Sequence, residues 1–404
     1  KAVYRHPERS EGSKEKDSSL TAQNDIFCDY PIFQTVNENG AMKKGIVGEG
    51  KFVKDADKDI IEGLKTALPE HVRVIVYSDV PLSGALAIVP KNWSIKILAW
   101  PPRRLWTQVR LAAAVWRDKP DALFVPAHVL PDFLPATTRT VTTIHDVAAA
   151  RFPQAYNWFE KWYSLSTAKR ALRRGSVIVP SKFTERELIQ LFPQAPIGRI
   201  SVVPHGLNPE YRVSPTVAEI NEAQRVNNIH APYLISVGRL ETKKNTPALV
   251  KAFADFKKTE TGKSFQLVLI GKPGYGYAEV MKAVYVSEYR SDIKCLGWLG
   301  DSVTTSLVAG AKALAFPSSY EGFGLPALEA AAMNVPVVAL RGHAVEEIGG
   351  EHFYYAHSAA PADIAKALQS AVNAENEQLA AARAKALSYT WGEAAQNTAK
   401  VLIG

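Results

Sequence analysis

The sequence predicts an α/β protein built from two open, parallel-sheet domains that face a central cleft, and two observations carry that prediction. Short apolar, β-branched runs alternate with helical stretches along most of the chain. Strands that are apolar throughout need cover on both faces, which crossover helices in a parallel sheet provide. The chain also has 404 residues, too many for one ordinary core and enough for two domains of usual size.

Taken in order, residues 1–20 are dense in Ser, Lys and Glu and lack a periodic apolar pattern. They cannot offset their ordering entropy by burial, so disorder is expected there. Met42 opens MKKGIVGEGKFV, in which Gly45–Val47 is a candidate first strand and Gly48–Gly50 the glycine turn after it; IFCDYPIF (26–33) is a competing first strand. Asp55, Asp57 and Asp59 spell the metal motif D-x-D twice, but they open a helical stretch, where first-turn carboxylates favour the helix dipole instead. VRVIVYSD, SIKILAW, ALFVPA, TVTTIHD, SVIVPS and ISVVPHG then read as strands of the first domain. Between them RRLWTQVRLAAAVWR (103–117) reads as a helix packed on the sheet, with an interfacial helix as the rival reading. The polar stretch Asn208–Ala231, with Pro209 and Pro215, reads as an exposed link. YLISVGR, FQLVLIG, IKCLGW, ALAFPS and PVVAL supply a second sheet. The expected organisation is an atypical extension over 1–41, a domain over 42–207, a linker over 208–230, a second domain over 231–385 and a C-terminal helix over 386–404.

Forty-eight Lys and Arg against 40 Asp and Glu give a net charge of +8, which suits phosphorylated substrates, nucleic acid or an anionic membrane. No nucleic-acid motif accompanies the charge, so nucleic acid is not an expected partner. Lys161, Lys169, Arg170, Arg173 and Arg174 are candidates for contact with anionic lipid. Cys28 and Cys295 lie far apart, no apolar run has the length of a membrane span, and no secretory h-region opens the chain. The expected location is the cytoplasm, with peripheral contact at the inner face of the membrane as a further candidate. No Cys/His pattern calls for a metal.

In open parallel sheets, ligands bind beyond the C-terminal strand ends, which brings His145, His205, Arg239, Gly271 and Glu321 to one cleft. The stretch EGFGLPALE places Glu321 and Glu329 eight positions apart around a Gly-rich turn and a helix that opens with Pro326. The backbone N–H groups of Phe323, Gly324 and Leu325 then stand at a helix N-terminus, which attracts phosphate. Glu329 lies one turn into the helix, within reach of ribose hydroxyls, and Glu321 lies nearer the reacting end of a ligand.

The string P-S-x-Y-E-G-F-G-L-P-x-L-E-A resembles the E-x7-E signature of glycosyltransferase family 4, whose members are retaining, metal-independent enzymes of the GT-B fold with two Rossmann-like domains. LISVGRLETKKN (234–245), the later Glu347-Ile348-Gly349-Gly350, TTIHDVAAARFP (142–153), VIVPSKFTERELI and ISVVPHGLNP extend the resemblance from about Val72 to the end. It implies a nucleotide-diphosphate sugar held by the second domain. Arg239, Lys244 and the amides of Phe323, Gly324 and Leu325 would grip the diphosphate, Glu329 the ribose and Glu321 the sugar. His145 would approach from the first domain as a catalytic residue beside Glu321. It further implies no cofactor and no metal, a glycan or lipid-linked acceptor in cell-envelope polysaccharide synthesis, and a hexose, mannose by the H-D-x-A-x-x-R-F-P form. The first-loop pattern departs from the family at Lys51–Asp59. That departure keeps a non-catalytic nucleotide-sugar-binding protein as the alternative.

Overall fold

A computed structural model describes residues 32–34, 37–38, 41–47, 55–100, 105–127, 129–230 and 232–404. Residues 1–31 and the glycine turn 48–50 lie outside the described residues. The first sheet comprises β1 (Ile32–Gln34), β2 (Asn37–Glu38), β3 (Ala41–Val47), β4 (Arg73–Ser78), β5 (Trp93–Ile97), β6 (Ala122–Val125), β7 (Arg139–Thr143), β8 (Ser176–Val179) and β9 (Ile200–Val202). Its parallel part runs β5-β4-β3-β6-β7-β8-β9. The candidate Gly45–Val47 is the end of β3. Residues 32–34, at the end of the competing run, add β1 antiparallel to β3, β4 and β6.

The second sheet contains β10 (Tyr233–Val237), β11 (Gln266–Ile270), β12 (Ile293–Gly297), β13 (Ala313–Phe316), β14 (Val337–Leu340) and β15 (Tyr354–Ala356). All pairs are parallel, in the order β12-β11-β10-β13-β14-β15. Side chains alternate between its faces as the pleat requires. Leu234, Leu267, Leu269, Ala313 and Ala315 enter one core; Ile235, Val268, Ile270, Leu314 and Phe316 enter the other. Burial of each Leu, Ile or Val of this kind stabilises the fold by about 1.5–3 kcal/mol, which is why these runs carry no polar alternation.

Two expectations are corrected. Residues 208–230 are not an exposed linker: Tyr211, Ala223 and Ile229 are buried in the second domain's core with Leu207. The segment forms a helix, Val217–Val226, because a capping box closes its start, with Thr216 N–H donating to Glu219 Oε2 at 2.7 Å. The C-terminal stretch 386–404 is not one helix. A helix Asn376–Ser388 packs on the second domain, the chain turns at Tyr389 and Thr390, and a helix Trp391–Ile403 returns to the first domain. There Ala395, Ala399 and Leu402 share a core with Ile60, Ile61 and Leu64 of the helix Asp55–Ala67. The two helices meet so closely at Gly63 that a Cβ there would lie 2.6 Å from the Ala395 Cβ.

Candidate active site

Each parallel sheet reverses its strand order once, between β3 and β6 and between β10 and β13. Such switch points leave a crevice at the C-terminal strand ends. Gly238, Arg239, Lys243 and Lys244 follow β10, and Pro317 to Glu321 follow β13, so both flanks of the second crevice carry charged side chains. The backbones at its rim approach closely. A Cβ on Gly271, whose φ is +151°, would stand 1.8 Å from the Gly238 carbonyl oxygen, so only glycine fits.

Lys244 Nζ forms a short ion pair with Glu321 Oε1 and lies 5.1 Å from the centre of the Phe316 ring. The lysine loop is fixed by Asn245, in the left-handed region at φ 53°, whose side-chain amide donates to the Pro317 carbonyl and to Ser319 Oγ, both at 2.8 Å. Neighbouring Lys243 has Glu241 Oε1 at 3.6 Å. Burial disfavours its charge, but Asp146, Tyr156, Glu241 and Glu321 outweigh that effect and hold the ammonium above the usual lysine range. Arg239 is exposed at the rim, donating to the Pro273 carbonyl at 3.3 Å. The helix Leu325–Ala332 starts at Gly324, with φ 109°, and among the described residues the amides of Phe323, Gly324 and Leu325 make no hydrogen bond. Half-buried Glu329 lies close enough to Tyr211 to add to the effect of burial in raising the phenol above its ordinary range.

His343, after β14, is buried beside this cluster, and among the described residues neither ring nitrogen has a partner of sound hydrogen-bond geometry. Burial lowers its pKa from 6.5 against the opposing pull of Glu321 and of the Ser318 backbone.

The first domain touches the second at the Glu321 loop. Ser181 Oγ and Thr184 Oγ1 donate to the Gly322 carbonyl at 2.7 and 3.1 Å. Glu347 accepts from the N–H groups of Lys182 and Phe183, at 3.0 and 2.6 Å, and so occupies the N-terminus of the helix Lys182–Leu191. Val147 N–H donates to the Tyr320 hydroxyl at 3.3 Å. His145 Nε2 lies 2.9 Å from the Pro126 carbonyl and its Nδ1 3.2 Å from His205 Nε2. A carbonyl only accepts, so Nε2 carries a proton and donates to Pro126.

Two family models divide this chain between them. "Glycosyltransferase Family 4" matches residues 61–211 and "Glycosyl transferases group 1" matches residues 218–387. The chain belongs to glycosyltransferase family 4. It is 28% identical over 302 residues to O-antigen chain mannosyltransferase B of Escherichia coli, covering 73% of this chain and 75% of that one. It is 34% identical over 170 residues to the serotype-specific mannosyltransferase WbdA of E. coli, there covering 41% of this chain and only 20% of the relative. The fold matches WaaG, a glycosyltransferase of lipopolysaccharide biosynthesis, at 15% identity and TM-score 0.67 over 88% of this chain and 98% of that one. It also matches Anabaena Alr3699/HepE solved with UDP-glucose, at 16% identity and TM-score 0.64 over 88% and 98%. The protein is therefore a GT-B glycosyltransferase, and the family and its mannosyltransferase relatives make it a hexosyltransferase.

Of the residues singled out from the transferase sequence, Glu321, Lys244 and Arg239 come together at the second switch point, with the amides of Phe323 to Leu325 beside them. The Phe323 side chain points away, its ring 5.1 Å from His205 and 5.9 Å from Tyr389. His145 sits on the facing domain with both ring nitrogens engaged by Pro126 and His205. Asp146 accepts from Ala148 N–H at 2.8 Å and so shapes the loop. Sequence reasoning missed His343, Lys243 and the Ser181, Thr184 and Glu347 contacts. His343 was within reach of the rule that found the others, since it follows the apolar run PVVAL at a C-terminal strand end. Among the described residues no three His, Cys, Asp or Glu side chains are grouped to hold a metal, and no helix is long and apolar enough to cross a membrane.

Proposed function

We propose that this glycosyltransferase moves a hexose, mannose first among the candidates, from a nucleotide-diphosphate sugar to a hydroxyl of a glycan or lipid-linked acceptor of the cell envelope, with retention of anomeric configuration. The observation that carries this reading is the Lys244–Glu321 ion pair at the second switch point, beside the amides of Phe323 to Leu325. Similarity to O-antigen chain mannosyltransferases supports the sugar and the acceptor class. Glu321 neutralises Lys244 until a donor arrives. The diphosphate, carrying more charge than one carboxylate, then takes Lys244 and Arg239, and Glu321 is released to the sugar hydroxyls. Glu329 holds the ribose. As the sugar–phosphate bond breaks, these fixed cations and amides stabilise the departing charge; removing one such group typically costs about 10²–10³ in rate. The departing phosphate takes the acceptor's proton on the face it leaves, which retains configuration. Cations and amides suffice for that charge, so activity should survive EDTA.

Thermal melts with GDP-, UDP- and dTDP-hexoses, followed by NMR of the product anomer, test the reading. A donor at a hundredfold excess over Kd should stabilise the protein by about 2.7 kcal/mol. An inverted product refutes retention, and stabilisation by none of these sugars refutes the donor class. Loss of turnover in EDTA, restored by Mn²⁺ or Mg²⁺, refutes the metal-free reading.

A further inference from the structure

The first domain carries an apolar outer surface that its own fold does not use. On the helix Trp158–Arg174, Trp158 and Trp162 are 80% and 57% exposed, and Lys169 and Arg173 are exposed two to four turns further on. Spacings of four, seven and four residues put all four on one face. The helix Ala112–Asp118 and the turn before it show a second outward stripe: Leu105, Val109, Ala113 and Trp116. The two stripes belong to one surface. Gln108 bonds Leu130 O, Asp132 N and the Tyr163 hydroxyl, and Arg170 pairs with Asp132. Between them Phe133 is 77% exposed, and its carbonyl accepts from the Trp116 indole at 3.3 Å. Arg174, by contrast, turns inward to the Leu134 and Pro135 carbonyls. Beyond the aromatics, Lys169 and Arg173 flank a groove of about 420 Å³ walled by Leu172, Phe192 and Pro193.

We propose that this surface docks on an anionic phospholipid bilayer. Trp158, Trp162, Phe133 and Trp116 would enter the headgroup boundary, and Lys169 and Arg173 would meet lipid phosphates. The charge pattern selects this occupant. Indole and phenyl groups with cations along the same face match an interface that is apolar below and anionic above, whereas a protein interface core is depleted of such charges. The inference goes beyond the transfer reaction and does not depend on which sugar is moved.

The full chain is sedimented with phosphatidylcholine vesicles with and without phosphatidylglycerol. Binding is expected only to the phosphatidylglycerol-containing vesicles and should weaken with salt. K169E/R173E, which removes two cations and adds two anions, should bind at least about thirtyfold more weakly, and W158S/W162S/F133S at least about tenfold more weakly. Both variants should keep the wild-type melt and the wild-type response to nucleotide sugars, since none of these side chains is in a core. Absence of vesicle binding by the wild-type chain, or equal binding by the aromatic variant, overturns the proposal. So does a wild-type dimer that the aromatic substitutions turn into a monomer, because the surface is then an interface between copies.

Discussion

Replacing Gly322 by alanine tests the contact between the domains at its tightest point. A Cβ at this position would lie 1.9 Å from the His145 carbonyl oxygen and 2.9 Å from the Asp146 Cβ. Carbon and carbonyl oxygen approach to about 3.3 Å at closest, so the loops must separate by about 1.4 Å. The nearest obstacle is backbone, and no rotamer change relieves it. Gly322 is not among the glycines with positive φ, so the effect is steric alone. Separation stretches the Ser181 and Thr184 hydrogen bonds to Gly322 O; two such bonds amount to about 2 kcal/mol. It also displaces Glu321, one residue away. A misplacement of about 1 Å can cost 10²-fold in rate, so kcat should fall about a hundredfold while donor KM, set within the second domain, changes little. Steady-state kinetics and a denaturant melt measure both effects. Gly198→Ala, where a Cβ meets nothing within 4 Å, is the silent control. If Gly322→Ala retains kcat within threefold of wild type, the closed contact is not part of the working enzyme.

Glu321→Ala should lower kcat by about 10²-fold or more, whereas Glu329→Ala should mainly weaken donor binding, because ribose contacts persist in ground and transition states alike. Equal loss of donor affinity in both, with kcat unchanged, would refute that division. His343 stays neutral in the folded state at a pH where the unfolded chain protonates it near 6.5, so its contribution is present above pH 6.5 and is lost as pH falls toward the lowered folded value. His343→Gln should therefore show a shallower fall in stability between pH 7 and 5 than wild type, and parallel melting curves would count against it. A chain beginning at Met42 lacks β1 and β2 and should melt lower than a chain lacking only residues 1–20. Equal melts would show that β1 adds nothing to the sheet.

Strand positions were legible because a doubly covered parallel strand must be apolar on both faces, and runs such as FQLVLIG satisfy nothing else. The convergence of Arg239, Lys244 and Glu321 was legible for a topological reason, since all follow strand ends beside one switch point. Helix Val217–Val226 was hidden because its outward face carries Glu219, Asn221, Glu222 and Arg225, its valines Val217 and Val226 are exposed too, and prolines stand just ahead; the burial of Tyr211, Ala223 and Ile229 shows that the segment is packed. The interdomain contacts were illegible on other grounds. Ser181 and Gly322 are 141 positions apart, and their bond depends on how two rigid bodies meet, which no local pattern encodes. The contact of His145 with His205, 60 positions apart, is of another kind, since both follow strands of the first domain: the strand-end rule brought both to the cleft, but not one ring against the other.

The return of Trp391–Ile403 to the first domain sets an order of events during synthesis. The ribosome, adding about 5–20 residues per second, needs roughly 10–40 s to pass from β9 to Trp391. Throughout that interval Ile60, Ile61 and Leu64 lack the partners that complete their core. The second domain has every strand of its sheet before then. The domain begun first is thus finished last, and its uncovered helix is the surface a chaperone would meet on the nascent chain. A stop codon at Trp391 would remove nothing from the second sheet, yet it would injure the domain that is made first.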